Sequence, residues 1–362
     1  MARKTMGETV AVGMSGGVDS SVAAYLLLEQ GYDVIGLYMV NWEEDGNGCC
    51  TAEQDFEDVK RVSNRLGIPY YTVNFSKEYR ENVFSHFLAE YAAGRTPNPD
   101  VLCNREIKFG PFRRFAEELG AKYVATGHYC GIRHEGERHF LLKAADPGKD
   151  QTYFLNQVRQ DQLSNVLFPL ADLSKTEVRK IAEGLSLSTA RKKDSTGICF
   201  IGERNFREFL KTYLPAQPGE IRTEDGTVVG RHAGLMYYTL GQRRGLGLGG
   251  RKGEEGRWFV TKKDLENNIL YVSHGDESAL YCGGCTVSGF NWIPTPPDKE
   301  TFPCTAKFRY RQSEQKVSVR MTGEGTAEIY AAERQRAVTP GQYAVLYSAE
   351  LCLGGGVIER TF

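Results

Sequence analysis

The 362-residue sequence contains no apolar run that approaches the roughly 20 residues needed to cross a bilayer. It also lacks an excess of one charge, since 45 Lys and Arg stand against 46 Asp and Glu and give a formal net charge of −1. A nucleic acid would therefore have to bind to a local basic patch. The first residues are charged and lead directly into a β-branched run, so we predict no signal peptide. These absences favour a cytoplasmic protein that has no contact with a membrane.

The nine cysteines lack the density and regular spacing of a disulfide-rich secreted domain, and their number is odd. We therefore expect them to serve as thiols, ligands or catalysts in a reducing compartment. Cys282 and Cys285 have the spacing of a zinc or redox motif, but no second pair and no histidine follow at ligand distance. A structural role is favoured for these two residues, and we predict no metal site built by the protein.

Apolar and amphipathic segments alternate along the N-terminal half. The apolar runs at 32–39, 69–75 and 123–126 are typical of strands, and the periodic segments at 52–66 and 78–91 are typical of helices. This order predicts an α/β domain with a doubly wound parallel sheet of the Rossmann type. Ligands of such sheets bind at the carboxyl ends of the strands, so the loops that follow the strands form the candidate site.

After Pro215 the pattern changes to short alternating strands with glycine turns. Runs such as 305–310 and 343–348 indicate a small β-barrel at the end of the chain. The proline-rich stretch at 294–297 lies close to a boundary between two β-rich modules. We predict three domains, over residues 1–207, 208–284 and 285–362.

The stretch from Val10 to Ser21 combines a short apolar strand, a glycine turn and the first turn of a helix. Backbone N–H groups and the positive end of the helix dipole converge there, and the glycines let the backbone approach a phosphate. The loop has no lysine, so it is not built for γ-phosphate transfer. Its pattern Ser-Gly-Gly-x-Asp-Ser resembles the pyrophosphate loop of the ATP pyrophosphatases, which split ATP between the α- and β-phosphates. The resemblance implies an ATP site, and a tight turn without a ligand is the alternative.

Two cysteines lie in settings that suit chemistry. Prolines at 97 and 99 stiffen the loop and place Asp100 and Cys103 about one helical turn apart. A carboxylate beside a thiol can move protons next to a nucleophile. Cys199 follows the cations at 191–193, and such neighbours favour the reactive thiolate. Either cysteine alone is also consistent with a small buried side chain.

Residues 203–262 carry an excess of positive charge, with eleven Lys and Arg against seven Asp and Glu. Tyr237, Tyr238 and Trp258 lie among them, a combination that fits phosphate contacts and stacking on RNA. A solvated basic face explains the composition equally well. The run Gly245–Gly250 matches Gly-x-Gly-x-x-Gly, but it opens no helix in this β-rich region, so we expect no dinucleotide there.

Five motifs follow one another along the chain. They are Ser-Gly-Gly-Val-Asp-Ser from residue 15, Thr-Pro-Asn-Pro-Asp-x-x-Cys-Asn from 96, Ala-Thr-Gly-His-Tyr from 125, Lys-Asp-Gln-x-Tyr-Phe-Leu from 149 and Asp-Ser-Thr-Gly-Ile-Cys-Phe from 194. Together they resemble the tRNA-specific 2-thiouridylases, bacterial enzymes that thiolate the wobble uridine of certain tRNAs. The resemblance covers nearly the whole chain and implies an adenine nucleotide hydrolase-like first domain.

The resemblance also implies the roles of individual residues. The ATP-binding residues would be Gly13, Met14, Ser15, Gly16, Gly17, Val18, Asp19, Ser20, Met39 and Gly127. The contacts to the target base and to tRNA would come from Asn98, Pro99, Asp100, His128, Lys149, Asp150, Gln151, Arg311, Gln312 and Gln342. Asp100 would act as acid or base, Cys103 as the nucleophile and Cys199 as the persulfide carrier.

The implied reaction uses ATP and Mg²⁺ to transfer AMP onto a uracil carbonyl oxygen. Sulfur from the Cys199 persulfide then replaces AMP, either as hydrosulfide released by Cys103 or by direct attack. Both routes leave a Cys103–Cys199 disulfide, which requires Cα atoms about 5.5–6 Å apart. The implied partners are a tRNA with a wobble uridine and a persulfide donor, either a cysteine desulfurase or a sulfur-relay protein. We expect the protein to act as a monomer.

Three alternatives stay open at this point. A pyrophosphate-loop synthetase could adenylate a small metabolite, although Cys103 and Cys199 would then have no purpose. An iron–sulfur cluster could take part in tRNA thiolation, with Cys130 as the third thiolate. The third alternative is a protein that binds tRNA and nucleotide without catalysing a reaction.

Overall fold

The computed structural model describes residues 7–43, 50–194, 206–249 and 256–362. The first part of the chain alternates strands and helices. In chain order these are β1 (Thr9–Gly13), α1 (Val18–Glu29), β2 (Asp33–Val40), α2 (Cys50–Leu66), β3 (Tyr70–Asn74), α3 (Ser76–Tyr79), α4 (Ser85–Ala92), α5 (Pro99–Cys103), α6 (Pro111–Glu118), β4 (Tyr123–Ala125), β5 (Gly131–Glu135), β6 (Arg138–Leu142), α7 (Thr152–Leu155), α8 (Gln160–Leu163), β7 (Val166–Leu167) and α9 (Lys175–Gly184). Two π-helical turns, Arg80–Phe84 and Asn104–Lys108, follow α3 and α5. None of the helices in these described ranges is long and apolar enough to cross a membrane.

Strands β1, β2, β3, β4 and β7 form one sheet in the order β3-β2-β1-β4-β7, and all neighbouring pairs are parallel. Val10, Ala11 and Val12 of β1 are fully buried, as expected of a central strand that is covered on both faces. From β1 the sheet grows toward β2 on one side and toward β4 on the other, so its switch point lies between β1 and β4. The predicted doubly wound parallel sheet is confirmed.

The second part of the chain is mostly β-structure. In chain order it contains α10 (Phe206–Tyr213), β8 (Gly219–Arg222), β9 (Val228–His232), β10 (Trp258–Asp264), β11 (Ile269–His274), β12 (Tyr281–Trp292), β13 (Thr301–Lys307), β14 (Gln315–Gly323), β15 (Thr326–Arg336), β16 (Tyr343–Ser348) and β17 (Leu351–Thr361). Strands β8 to β11 form a small sheet, and β12 to β17 form an antiparallel barrel closed by the pairing of β12 with β17. The prediction of two β-rich modules, the last of them a barrel, is confirmed.

The β5–β6 hairpin was absent from the sequence prediction and extends the barrel sheet. Leu141 and Leu142 of β6 pair with Cys352 and Leu351 of β17. A turn signal was available in the sequence, because Gly136 at φ +61 makes the tight turn between the two strands. What the sequence did not show is that the partner of this hairpin lies more than 200 residues further along the chain. The barrel is thereby hydrogen-bonded to the parallel-sheet domain.

Candidate active site

The glycine-rich loop between β1 and α1 forms one wall of the candidate site. Gly16 has φ +72, and a Cβ there would lie 2.4 Å from the carbonyl oxygen of Asp55, so only glycine fits. Ser20 Oγ accepts from the Ser15 amide at 3.1 Å and donates to the Gly17 carbonyl at 3.2 Å. These bonds fold the loop over the first turn of α1, where backbone N–H groups are available to an anion.

The ends of two further strands meet this loop. A Cβ on Gly127, two residues after β4, would lie 2.7 Å from the Ser20 nitrogen, so the turn after β4 packs directly on the first turn of α1. The methyl group of Met39 in β2 lies 3.8 Å from the Cβ position of Gly13. The residues predicted to bind ATP therefore share the carboxyl edge of the sheet at its switch point, and their contact with ATP stays a prediction.

Three cations and two carboxylates form a network of ion pairs beside the loop. Lys175 Nζ lies 2.7 Å from Asp19 Oδ1 and 2.8 Å from Asp194 Oδ1. Lys149 and Arg179 also contact Asp194, at 2.7 and 2.9 Å. Burial alone would raise the pKa of Asp194, but hydrogen bonds from Lys149 and Lys175 outweigh it and lower the pKa to about 2. Such a cluster of cations beside a glycine loop can bind a polyphosphate.

Lys192, a fourth cation, is bonded to the backbone of the loop and to two carboxylates of α2. Lys192 Nζ donates to the Gly16 carbonyl at 3.0 Å and contacts Asp55 and Asp58 at 2.6 and 2.7 Å. Neither Lys175 nor Lys192 was predicted to belong to the ATP site. In the sequence, Lys192 is only one of the cations at 191–193 that precede Cys199. Neither lies in a motif that would reveal its distant partner in the loop.

A short helix carries the predicted acid or base and the predicted nucleophile. Helix α5 begins at Pro99, preceded by Asn98 in an extended conformation. Burial raises the pKa of Asp100, although the charge of Lys108 acts in the opposite direction. Cys103 is 2% exposed and packs in the same apolar cluster as Ala11 of β1 and Leu37 of β2. The π-helical turn that follows Cys103 widens the helix at this point, as π turns at functional sites often do.

His128 connects the glycine loop with this helix. The residue follows Gly127 and is buried, and its Nδ1 lies 2.7 Å from Thr126 Oγ1. Burial, and in addition the charge of Lys108, hold the pKa of His128 well below its ordinary value. The imidazole is therefore neutral at pH 7. Phe109 follows the π-helical turn after the Asp100 helix, and its ring centre lies 6.3 Å from that of His128, so this helix lies next to the turn that packs on the glycine loop.

Comparison with known proteins decides the family. A model described as a tRNA methyl transferase HUP domain matches residues 8–203, a tRNA methyl transferase PRC-barrel domain matches 207–274 and an aminomethyltransferase beta-barrel domain matches 282–358. The tRNA-specific 2-thiouridylase MnmA of Bacillus subtilis is 59% identical over 365 residues, which cover 100% of this chain and 98% of that protein. The chain belongs to the tRNA-specific 2-thiouridylase family.

Another relative agrees with this assignment. The tRNA-specific 2-thiouridylase MnmA of Halalkalibacterium halodurans is 60% identical over 353 residues, which cover 97% of this chain and 94% of that protein. Two of the matching family models are named for methyl transfer, whereas these full-length relatives are named for thiolation, and identity over the whole length is the stronger criterion. A U34-tRNA thiolase, NcsA from Methanococcus maripaludis, is 21% identical over 58% of this chain and 65% of that chain, with a TM-score of 0.38, too low to inform fold or function.

Within the family assignment, several predicted tRNA contacts occupy structural positions. Asp150 is 5% exposed and accepts from Thr152 Oγ1 at 2.9 Å and from Lys307 of the barrel at 3.1 Å. Gln151 accepts from the Tyr129 amide at 2.9 Å, and the side-chain amide of Gln342 donates to the Thr96 carbonyl at 2.7 Å. These bonds hold parts of the protein together, and contact of the same residues with tRNA stays a prediction.

The two other barrel residues predicted to contact tRNA differ in exposure. Gln312 accepts from the Phe308 amide at 2.9 Å and donates to Gln335 at 3.0 Å. Arg311 is exposed at φ +64, with its guanidinium 5.5 Å from the ring centre of Tyr310. Arg311 is thus exposed, whereas Gln312 is half-buried.

Cys199 lies outside the described residues, so the predicted approach of Cys103 and Cys199 stays untested. Cys282 and Cys285 lie in β12, and burial raises the pKa of both thiols, which fits a structural role. In the described part of Gly245–Gly250 no helix begins, as expected for a run that does not bind a dinucleotide. Among the described residues no three His, Cys, Asp or Glu side chains gather as metal ligands.

Proposed function

We propose that this protein uses ATP to replace the 2-oxygen of a wobble uridine in tRNA by sulfur. The family assignment supports the tRNA substrate and the class of sulfurtransferase. The observation that supports this site is the packing of the Gly127 turn on Ser20, together with the 6.3 Å between the ring centres of His128 and Phe109, the residue after the π turn that follows the Asp100 helix. A phosphate site and a carboxyl group near a thiol are the groups that adenylation and sulfur transfer require.

ATP fits the loop because N–H groups of α1 and the cations Lys149, Lys175 and Arg179 suit its phosphates. Mg²⁺ would be held mainly by phosphate oxygens and water, since the described residues offer no set of three ligands, and Asp19 in the first turn of α1 is a carboxylate at the loop. The ion would neutralise charge on the departing pyrophosphate. Lys175, which is paired with Asp19 in this structure, would then pair with a phosphate of ATP instead.

The proposed reaction has two stages. The uracil O2 attacks the α-phosphorus, pyrophosphate leaves, and carbon 2 now carries AMP as a leaving group. In the hydrosulfide route the Cys103 thiolate attacks Cys199 Sγ, the persulfide S–S bond breaks, and the released sulfur displaces AMP from carbon 2. In the direct route the persulfide attacks carbon 2 and AMP leaves. The Cys103 thiolate then attacks Cys199 Sγ, which breaks the S–S bond and leaves the sulfur on carbon 2. Either way a Cys103–Cys199 disulfide forms, and a dithiol reductant must restore both thiols.

The remaining predicted roles belong to this proposal. Residues 1–207 would supply the chemistry, and the domains at 208–284 and 285–362 would hold the tRNA. The target base would be contacted by Asn98, Pro99 and Asp100. Further tRNA contacts would come from His128, Lys149 to Gln151, Arg311, Gln312 and Gln342. A cysteine desulfurase or a sulfur-relay protein would load Cys199 in the cytoplasm. The asymmetric arrangement of three unlike modules allows a monomer to complete the site.

The test is to incubate the purified protein with ATP, Mg²⁺, a persulfide donor and unmodified tRNA, and to analyse the digested nucleosides by mass spectrometry. We expect 2-thiouridine with the wild type and none with Cys199→Ser or Cys103→Ser. Cys304→Ser is the matched control, because Cys304 lies in β13 and burial raises the pKa of its thiol to about 12. This variant should keep wild-type activity.

Two results would contradict the proposal. Unmodified uridine, in a reaction whose donor and ATP turnover are shown to work, would favour adenylation of a small metabolite. An anaerobically purified protein that is brown and contains iron needed for thiolation would replace the persulfide route by a cluster route.

A further inference from the structure

The segment Gly94–Thr96, here named the clamp segment, lies ahead of the Asp100 helix and is held by the barrel. The Thr96 amide donates to the Pro340 carbonyl at 3.0 Å, and the Thr96 carbonyl accepts from Gln342 at 2.7 Å. Arg95 Nη1 lies 2.6 Å from Glu359 Oε2. A stretch of the parallel-sheet domain is thus bonded to the barrel through main chain and side chain alike.

The central β-rich module holds the clamp segment from another direction. Lys263 Nζ donates to the Gly94 carbonyl at 2.9 Å, and burial lowers the pKa of Lys263 to about 8. Thr239 Oγ1 lies 3.4 Å from Thr96 Oγ1. Three modules therefore meet on three consecutive residues.

The segment transmits its position to the site because the chain between them is stiff. Arg95 also pairs with Glu90 of α4 at 2.7 Å, so its guanidinium joins a helix of the first domain to the barrel. Pro97 and Pro99 are buried and have restricted backbone angles, and Asp100 follows directly. A shift of Thr96 therefore moves Asp100 with it.

We propose that Arg95, Glu359 and Lys263 are positioning residues, which set Asp100 against its substrate through the clamp segment. The inference rests on the proposed function. It adds that the two β-rich modules fix the geometry of the chemical step as well as binding RNA. A tRNA seated on those modules would act on the same segment that carries Asp100.

Gly341 offers the sharpest test. It has φ +90, and a Cβ there would lie 2.9 Å from the Thr96 nitrogen, a backbone atom that cannot rotate away. Gly341→Ala therefore pushes on the clamp segment. Gly120→Ala is the matched control, because Gly120, in the turn between α6 and β4, has φ +82 but no atom within 4 Å of its Cβ position. Both variants carry similar backbone strain, and only one collides with the segment.

We expect Gly341→Ala to lower kcat for 2-thiouridine formation about 10- to 100-fold, with KM for tRNA within about twofold of the wild type. Gly120→Ala should keep both constants. A folded Gly341→Ala enzyme with unchanged kcat overturns the proposal, and so does a raised KM with kcat intact, since that result would assign the contact to RNA binding alone.

A double-mutant cycle on Arg95 and Glu359 keeps the proposal testable if Gly341→Ala fails to fold. Glu359→Gln should lower kcat when introduced into the wild type. In the Arg95→Ala background it should change kcat by less than about twofold, because both substitutions break the same ion pair between Arg95 and Glu359. Arg95→Lys should recover part of the lost kcat. Independent, additive effects on kcat would overturn the proposal. Absence of 2-thiouridine in the wild-type reaction would refute the proposed function itself and is seen before any variant is compared.

Discussion

Asp100 and His128 are titratable residues whose surroundings shift their pKa values in opposite directions. Burial disfavours the charged form of each, so it raises the pKa of the carboxyl and lowers that of the imidazole. The charge of Lys108 opposes burial at Asp100 and reinforces it at His128. A carboxyl that binds a proton more readily and a neutral ring are therefore available beside the glycine loop.

Asp100→Asn should lower 2-thiouridine formation by at least about 100-fold, because a proton-transfer group is lost, while KM for tRNA stays near the wild-type value.

The variant should also alter stability in a pH-dependent way. The folded-state pKa of Asp100 lies above its unfolded value. At a pH between these two pKa values the unfolded chain binds fewer protons than the folded one, so the free energy of unfolding of the wild type falls as pH rises through this range.

Asparagine does not titrate, so the stability of Asp100→Asn relative to the wild type should increase from about pH 4 upward and level off above the folded-state pKa. Urea denaturation of both proteins between about pH 4 and pH 8 measures this difference. A difference that stays constant over the whole range would contradict the raised pKa.

At the scale of secondary-structure elements, the site depends on how closely β4 and α1 approach each other. The turn after β4 packs on the first turn of α1 at Gly127, and β1 supplies the loop that lies between them. Parallel strands that carry helices on both faces bring their carboxyl ends to one edge, so this meeting point follows from the topology. The glycine at 127 is what permits the contact distance.

Gly127→Ala should weaken ATP binding by an order of magnitude or more, because its Cβ would lie 2.7 Å from Ser20 N and 2.8 Å from the carbonyl carbon of Asp19. Gly184→Ala is the control, as Gly184 ends α9 and has no atom within 4 Å of its Cβ position. That variant should bind ATP normally and gain about 0.5–1 kcal/mol in free energy of unfolding. Titration calorimetry with ATP distinguishes the two, and equal affinities would refute the close-packing explanation.

At the scale of the whole molecule, the first domain and the barrel share one apolar cluster. Val101, Phe109 and Tyr153 of the first domain pack in the same buried group as Tyr343 and Tyr347 of β16. The Tyr153 hydroxyl donates to the Tyr343 carbonyl at 3.0 Å across this interface. The two modules are therefore expected to unfold together.

The three tryptophans allow this to be measured, since Trp42 lies after β2, Trp258 in the central module and Trp292 in the barrel. Proteins that keep only Trp42 or only Trp292 should show the same urea midpoint. Tyr347→Ala removes a fully buried ring, so the free energy of unfolding should fall by about 3–5 kcal/mol and both midpoints should fall by the same urea concentration. Tyr330→Ala, at an exposed ring, should change the free energy of unfolding by less than about 1 kcal/mol. Separate midpoints would show that the barrel unfolds on its own.

Binding of tRNA should depend on the basic central region. Arg243 and Arg244 are exposed. Replacing both by alanine should weaken tRNA binding and reduce the slope of log affinity against log salt concentration by about one to two. The control is the Arg133→Ala, Arg138→Ala double variant in the β5–β6 hairpin, which removes the same charge from another exposed surface. Filter-binding titrations over a range of salt concentrations give both slopes. Equal slopes for the two double variants would favour the interpretation of residues 203–262 as a solvated basic face.

The sequence by itself determined the elements whose signals are local. Apolar periodicity revealed the alternating strands and helices, and glycine spacing revealed the loop at 13–20. Motif order was sufficient to identify the family, because each motif is a short run in which neighbouring residues act together.

Only the tertiary structure decided which distant residues meet. Lys175 and Lys192 reach the glycine loop from more than 150 residues away, the β5–β6 hairpin finds its partner in β17, and Arg95 pairs with Glu359. It also decided that Asp150 is buried against the barrel. Such contacts leave no local pattern, because an ion pair or a strand pairing needs complementary groups in space and sets no spacing between them along the chain.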